Sequence, residues 1–265
     1  MPFMNMDQAL AWLTDNGWTV LLVIAVILAL HLLKVAVQPY AFAAFMNWFT
    51  PMYQKSMHTY KEELFRDLEG LRPAGPTGDG DGGKSQPRPL TILELGVGTG
   101  ANFKYYPKGS TVVGVEPNAK FAGYVAKNAS ECADRVRLER TVVAKAENLR
   151  GQVDDASVDA VVVTLVLCSV EDVDAVVREA KRVLRPGGKF LYLEHVIAES
   201  GSKTKLLQYA LLALWWYALD GCRLMRSPWL SVDRAGFSTA TCKRFMAPDW
   251  TFGPFRPHAM GVATK

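Results

Sequence analysis

The chain has 265 residues, 49% of them hydrophobic, with 30 Lys and Arg against 26 Asp and Glu, a formal net charge of +4. That length suits one domain plus an appendage. The basic residues are scattered and form no cluster interleaved with aromatics, which argues against a nucleic-acid partner. Cys132, Cys168, Cys222 and Cys242 are widely spaced, and no pair has zinc or disulfide spacing. They read as reduced thiols, and no metal is expected.

Gly17 to Leu33 holds no Asp, Glu, Lys or Arg, and the apolar stretch extends to Val37 if Lys34 snorkels. About 20 residues suffice to span a bilayer as a helix. The segment before it contains Asp7 and Asp15 but no Lys or Arg, which fits an uncleaved anchor better than a signal peptide. Lys34, Lys55 and Lys61 follow the segment, so the positive-inside rule places the remainder in the cytosol. A monotopic anchor, or a hairpin buried in a soluble protein, are the alternatives. Gln38-Pro39 is expected to break the helix. Tyr40 to Tyr53 then brings six aromatics, a composition suited to a membrane interface. Lys61 to Leu71 reads as a short amphipathic helix. In Gly70 to Pro89, ten of twenty residues are Gly or Pro, the mark of a linker. The expected organisation is an anchor with an interfacial segment over 1–54, a helix with a linker over 55–89, and a globular domain over 90–265.

Leu90 to Leu95 reads as a buried strand, ending in Glu94-Leu95-Gly96-Val97-Gly98-Thr99-Gly100 with a helix expected from Ala101. Glycines at alternate positions before a helix offer backbone amides and a positive helix end to a ligand. The same glycines also fit the dinucleotide fingerprint. Glu94 lies in a strand that is to be buried, so it needs a polar partner. A second strand, Val112 to Val115, ends at Glu116, placed to accept from ribose hydroxyls. Val158 to Val163 reads as another buried parallel strand, with Thr164 and Leu165 at its end. A helix follows over Val173 to Val183, then Arg185-Pro186-Gly187-Gly188 and a strand over Lys189 to Leu193. No Asn/Asp-Pro-Pro-aromatic motif follows the Val158 strand, which argues against DNA-adenine or glutamine substrates. Leu206 to Leu219 is too apolar for a surface helix and, at 14 residues, too short to span. It reads as a membrane-facing lid whose Trp215 and Trp216 wall a pocket, or as a core helix.

Glu94-x-Gly-x-Gly-x-Gly, an acid 22 residues on at Glu116, and Arg-Pro-Gly-Gly before a strand together resemble class I S-adenosylmethionine-dependent methyltransferases. The resemblance implies an α/β, Rossmann-like sheet with helices on both faces. It also implies S-adenosylmethionine held by Glu94, Gly96, Gly98, Gly100 and Glu116. Ala146 and Glu147 resemble the adenine-binding segment, although Lys145 stands where the family commonly has an accepting Asp. Thr164 and Leu165 would face the methionine part.

Glu94 to Phe103 with Tyr106-Pro107, Glu116-Pro117-Asn118, Thr164 to Val170, Glu194-His195-Val196, Asp220-Gly221-Cys222 and Pro257-His258-x-Met260-Gly261 resemble the thiol S-methyltransferase family more narrowly. The likeness runs from about Lys55 to Lys265, with Glu116 replacing the more usual Asp. It implies methyl transfer to small lipophilic thiols on membranes of the endoplasmic reticulum and lipid droplets. His195, at a strand's carboxyl end, and Asp220 are the candidate catalytic residues, with His258 in a family-like motif. A lipophilic oxygen acceptor such as a quinone or sterol precursor, or a non-catalytic tether, are the rival readings.

Overall fold

The computed structural model describes residues 5–71, 88–248 and 253–265; most of the linker expected over Gly70 to Pro89 lies outside the described residues. The chain divides into two compact units, Met1–Ala41 and Phe42–Lys265. Helix α1, Met6–Glu69, contributes to both. The break expected at Gln38-Pro39 does not occur, and the helix expected over Lys61 to Leu71 is the final stretch of α1. A proline removes one rung of the hydrogen-bond ladder, whereas helix on both sides propagates cooperatively.

In the first unit the apolar side chains face outward. An 18-residue window of mean hydropathy 2.8 has none of its residues buried. Leu22 is 64% and Ile27 61% exposed. The segment is long and apolar enough to cross a membrane. It is not the buried hairpin of a soluble core.

The second unit is built on β1 (Thr91–Leu95), β2 (Ser110–Val115), β3 (Val136–Val142), β4 (Val158–Thr164), β5 (Leu184–His195), β6 (Thr239–Met246) and β7 (Pro257–Thr264). Their spatial order is β3-β2-β1-β4-β5-β7-β6. β7 runs antiparallel to β5 and β6, and the remaining pairs are parallel. The winding reverses between β1 and β4, and open α/β sheets bind ligands beyond the carboxyl ends of strands at such a point.

Alternate residues of the central strands feed two cores. Leu93, Leu95, Val161 and Val163 pack with Val176, Val177, Ala180 and Val183 of α3 (Val173–Val183). Ile92, Val112, Ala160 and Val162 pack on the other face with Val125 of α2 (Ala122–Glu131) and with Tyr53, Met57, Leu64, Phe65 and Leu68 of α1. Those α1 residues recur at helical spacing, so one stripe of the helix is a core face. Fully burying Met57, Phe65 and Leu68 stabilises by about 1.5–3 kcal/mol each as an upper estimate. That is enough to make this stretch part of the fold rather than a tether.

Helix α4 (Lys203–Ala218) is inside out. Leu206, Tyr209, Leu214 and Trp216 are each more than half exposed, while Gln208 is fully buried. Gln208 accepts from the Ala198 amide (2.9 Å) and donates to the carbonyls of Val196 (3.0 Å) and Pro254 (2.9 Å). One amide side chain thus ties α4 to two loops, and its apolar faces are left exposed. Trp215 packs on Phe255 with ring centroids 4.0 Å apart.

The Arg-Pro-Gly-Gly stretch expected as a turn before a strand from Lys189 is the opening of β5 itself; its Arg185 reaches buried Asp159 on β4 (2.9 Å), which also takes Arg88 Nη1 (2.8 Å) and the Thr91 amide (2.8 Å). Burial opposes the charge, but these bonds outweigh it and hold the carboxyl below its ordinary range. Its stabilisation is therefore present above the unfolded carboxylate pKa and is lost as pH falls through the depressed value. Both arginines keep about a quarter of their side chains exposed, so Asp159→Ala should cost about 3 kcal/mol, the low end for a broken buried pair. Denaturant titration of detergent-solubilised protein at pH 7 and in acid should show the deficit shrinking in acid. An equal deficit at both would remove the ion pair from the account.

Candidate functional site

A cleft opens where β1 and β4 end. It spans about 880 Å³, open solvent included, and its lining includes Glu94, Gly96, Gly98, Glu116, Thr164, Leu165 and Asp220. Phe42, Met46, Phe49, Tyr53, Gln54 and Lys61 of α1 line it as well.

Glu94 is buried and bonded on both oxygens. Tyr106 Oη donates to Oε2 (2.6 Å) and Asn102 Nδ2 to Oε1 (2.7 Å). Asn102 Nδ2 also lies 2.9 Å from Thr164 Oγ1, and Asn102 Oδ1 accepts from Lys61 Nζ at 2.7 Å. Burial pushes Glu94 up to about 7 against these bonds and the Lys61 charge. Burial likewise lowers Lys61 to about 7, opposed by Glu94. The polar partners that a buried acid requires thus come from the protein itself.

Glu116 Oε2 accepts from the Gly98 amide (3.0 Å) and Oε1 from the Asn118 amide (3.0 Å). Each oxygen retains a lone pair for a ligand hydroxyl. Burial raises Glu116 to about 7; the two amides oppose this, and the neighbouring Asp220 adds to it.

The glycine turn departs from expectation in two ways. No α-helix starts at Ala101; a 3-10 turn over Phe103–Tyr105 stands there, so no long helix dipole backs the site. The glycines also serve different ends. A Cβ on Gly96 would lie 2.2 Å from Val166 Cγ2, whereas at Gly98 nothing but the Gly96 carbonyl and the Phe121 ring comes within 4 Å. Gly98 is the position that keeps ligand space open. Gly100 packs against Phe103 and does not line the cleft. Leu165 and Asp220 hold left-handed backbone (φ +57° and +48°) on the cleft wall, strain of a kind concentrated at binding sites.

Other expected residues lie elsewhere. Ala146 is buried in the core, and Glu147 Oε1 accepts from the Glu171 amide (2.7 Å), so neither lines the cleft. Pro117 and Phe121 supply an apolar wall beside Glu116 instead. Trp215 and Trp216 do not line it either. His195 is buried behind the wall, its Nε2 3.1 Å from Cys222 Sγ. His258 is also buried. Its Nδ1 faces the Arg256 carbonyl (3.2 Å) and so carries the proton, leaving Nε2 to accept from Tyr53 Oη (3.2 Å). Burial drives its pKa down to about 3, so it stays neutral and orients Tyr53.

Sequence reasoning missed the α1 lining altogether, because aromatics suit a lipid interface and a pocket equally. Lys61, taken as a cytosolic positive charge, is an internal member of the Glu94 network.

A family model described as a methyltransferase domain matches residues 93–192. Human thiol S-methyltransferase TMT1A is 42% identical over 225 residues, 84% of this chain and 86% of that protein. Mouse thiol S-methyltransferase TMT1B is 39% identical over 250 residues, 92% of this chain and 96% of that protein. Among solved structures, a Thermotoga maritima SAM-dependent methyltransferase, described as a possible histamine N-methyltransferase, superposes with a TM-score of 0.52 at 18% identity. It covers 86% of this chain and 99% of that one; this likeness concerns the fold.

The Tyr106–Glu94 bond offers a direct test. At pH 8 Glu94 is ionised, and Tyr106→Phe removes a charge-assisted bond worth about 1.5–3 kcal/mol. At pH 6 the acid is mostly protonated and the loss should fall to about 0.5–1.5 kcal/mol. Chemical denaturation at both pH values reads the difference, and a pH-independent loss contradicts the raised Glu94 pKa.

Proposed function

The chain belongs to the thiol S-methyltransferase family of S-adenosylmethionine-dependent methyltransferases, and from that premise we propose that it methylates small lipophilic thiols at a membrane surface. The observation that carries this reading is the cleft's two-sided wall: a glycine turn with acids on one side, the aromatic flank of α1 on the other.

The donor half suits the cofactor. Glu94, Glu116 and Asp220 line a cleft in which carboxylates favour a cationic ligand. Glu116 accepts the ribose hydroxyls, Gly98 allows close backbone approach to the amino-acid end beside Gly96, whose missing side chain makes room for Val166, and Glu94 faces its ammonium. Thr164 and Leu165 flank the methionine part, and Pro117 and Phe121 the adenine. S-adenosylmethionine supplies an electrophilic methyl on a sulfonium.

The protein's task is then to hold the acceptor in line, exclude water and assist loss of the thiol proton. A free thiol of pKa ~8.5 is only a few per cent thiolate at pH 7. Asp220, on the wall, is the residue we assign to that proton; His195, behind the wall, is not. Phe42, Met46, Phe49 and Tyr53 form an apolar acceptor side.

The membrane reading rests on the outward apolar segment of α1 and the exposed apolar faces of α4. We place Gly17 to Val37 across or within the bilayer and α4 against its surface. The catalytic unit faces the cytosol, an orientation carried by Lys34 and Lys55. The family resemblance favours the endoplasmic reticulum and lipid droplets.

Detergent-purified protein given labelled S-adenosylmethionine should methylate a small alkyl thiol and not its alcohol analogue, and Glu116→Ala should abolish turnover. Turnover of neither, with donor still bound, transfers the assignment to a lipophilic oxygen acceptor. A folded protein that binds no donor leaves only the tether.

Donor affinity should also follow Glu116. With a pKa of about 7, the ionised fraction rises roughly tenfold from pH 6 to pH 8. Calorimetric Kd should tighten by up to that factor, and affinity that is flat with pH argues against ribose binding by an ionised Glu116.

A further inference from the structure

Three metal-ligating side chains that the mechanism leaves unused converge behind the cleft wall. Cys168 lies in the turn after β4, His195 ends β5, and Cys222 follows α4. All three are buried, and one donor atom from each lies within 4.8 Å of the other two. His195 Nε2 is 3.1 Å from Cys222 Sγ. His195 Nδ1 has no hydrogen-bond partner among the described residues.

We propose that Cys168, His195 and Cys222 form a binding site for a thiophilic d¹⁰ cation of the zinc class. Tetrahedral zinc, with bonds of ~2.3 Å to sulfur and ~2.0–2.1 Å to nitrogen, sets its ligand atoms roughly 3.5–3.8 Å apart. Three donors already inside 4.8 Å need only small side-chain adjustments to meet that spacing. Binding replaces two thiol protons, which leave to solvent, by one Zn²⁺, and a water that enters with the ion takes the fourth tetrahedral position. Two thiolates, a neutral imidazole and the dication sum to zero charge, which a buried site tolerates.

The ligands are pre-positioned by bonds that do not involve a metal. Glu194 Oε1 accepts from the amides of Val166 (2.8 Å) and Leu167 (2.9 Å). The Arg223 amide donates to the Cys168 carbonyl (2.9 Å), and Arg226 Nη1 donates to that of Leu167 (2.6 Å). A site assembled this way holds its geometry before the ion arrives. The three donors are sealed from the cleft, so the ion acts as a tie and not as a landing point for the acceptor. It joins the turn that presents Ser169 to the loop that presents Asp220, and both of these residues line the cleft.

The test is metal content. Full-length protein in detergent, loaded with Zn²⁺ and dialysed, should retain about one zinc per chain. Cys168→Ser/Cys222→Ser should retain none, and Cys132→Ser/Cys242→Ser should retain it fully. Co²⁺ in place of zinc should give thiolate-to-cobalt charge-transfer absorption that only the first double variant loses. Wild-type protein that binds donor but keeps no zinc overturns the proposal, as does equal retention by the Cys168/Cys222 variant. Should that variant misfold, wild-type stoichiometry and the cobalt spectrum decide alone. Donor binding, read on the same sample, is independent of the outcome.

Discussion

An acid buried in the middle strand of the five parallel ones is the constraint from which the rest of the site follows. Glu94 is buried, so the chain must bring polar groups to both oxygens. Tyr106 and Asn102 do so from the segment after the glycine turn, which fixes that segment's path. Asn102 passes the demand on, to Thr164 at the end of β4 and to Lys61 on α1. One acid thus sets the relation among β1, β4, the glycine turn and α1, four of the elements that wall the cleft.

The same network explains why α1 belongs to the catalytic unit from Phe42 onward. Its Met57, Phe65 and Leu68 fill one core of the sheet, Lys61 is tied to Asn102, and Gln54 Nε2 donates to the Ala101 carbonyl beside the glycine turn. The helix that carries the apolar anchor sequence also supplies the aromatic side of the pocket. Three acids there leave Lys61 as the counter-charge, itself weakened by burial.

Much of the sheet was legible in the chain. Runs such as Val158 to Val163 are apolar without alternation because both faces are covered, and α3 begins and ends at the residues its periodicity and the following Arg-Pro-Gly-Gly predict. β6 and β7 were not read: β6 is almost wholly exposed along its length, and β7 is interrupted by Gly261. The glycine motif was recognisable, but the helix expected behind it is a 3-10 turn, since Asn102 and Phe103 are needed inside. α4 was ambiguous between a membrane-facing lid and a core helix, because composition does not reveal that its one buried side chain is Gln208.

By itself the sequence determined the α/β class, the apolar N-terminal segment, and the place of Glu94, Gly98 and Glu116 at the ends of the first two strands, because strand periodicity and turn chemistry are local properties. Only the tertiary structure decided that α1 lines the cleft and that Ala146 and Glu147 do not. It alone joined Cys168, His195 and Cys222, which are separated by 27 residues at each step. Those contacts arise where distant strands end side by side, and no local pattern encodes which loops meet there.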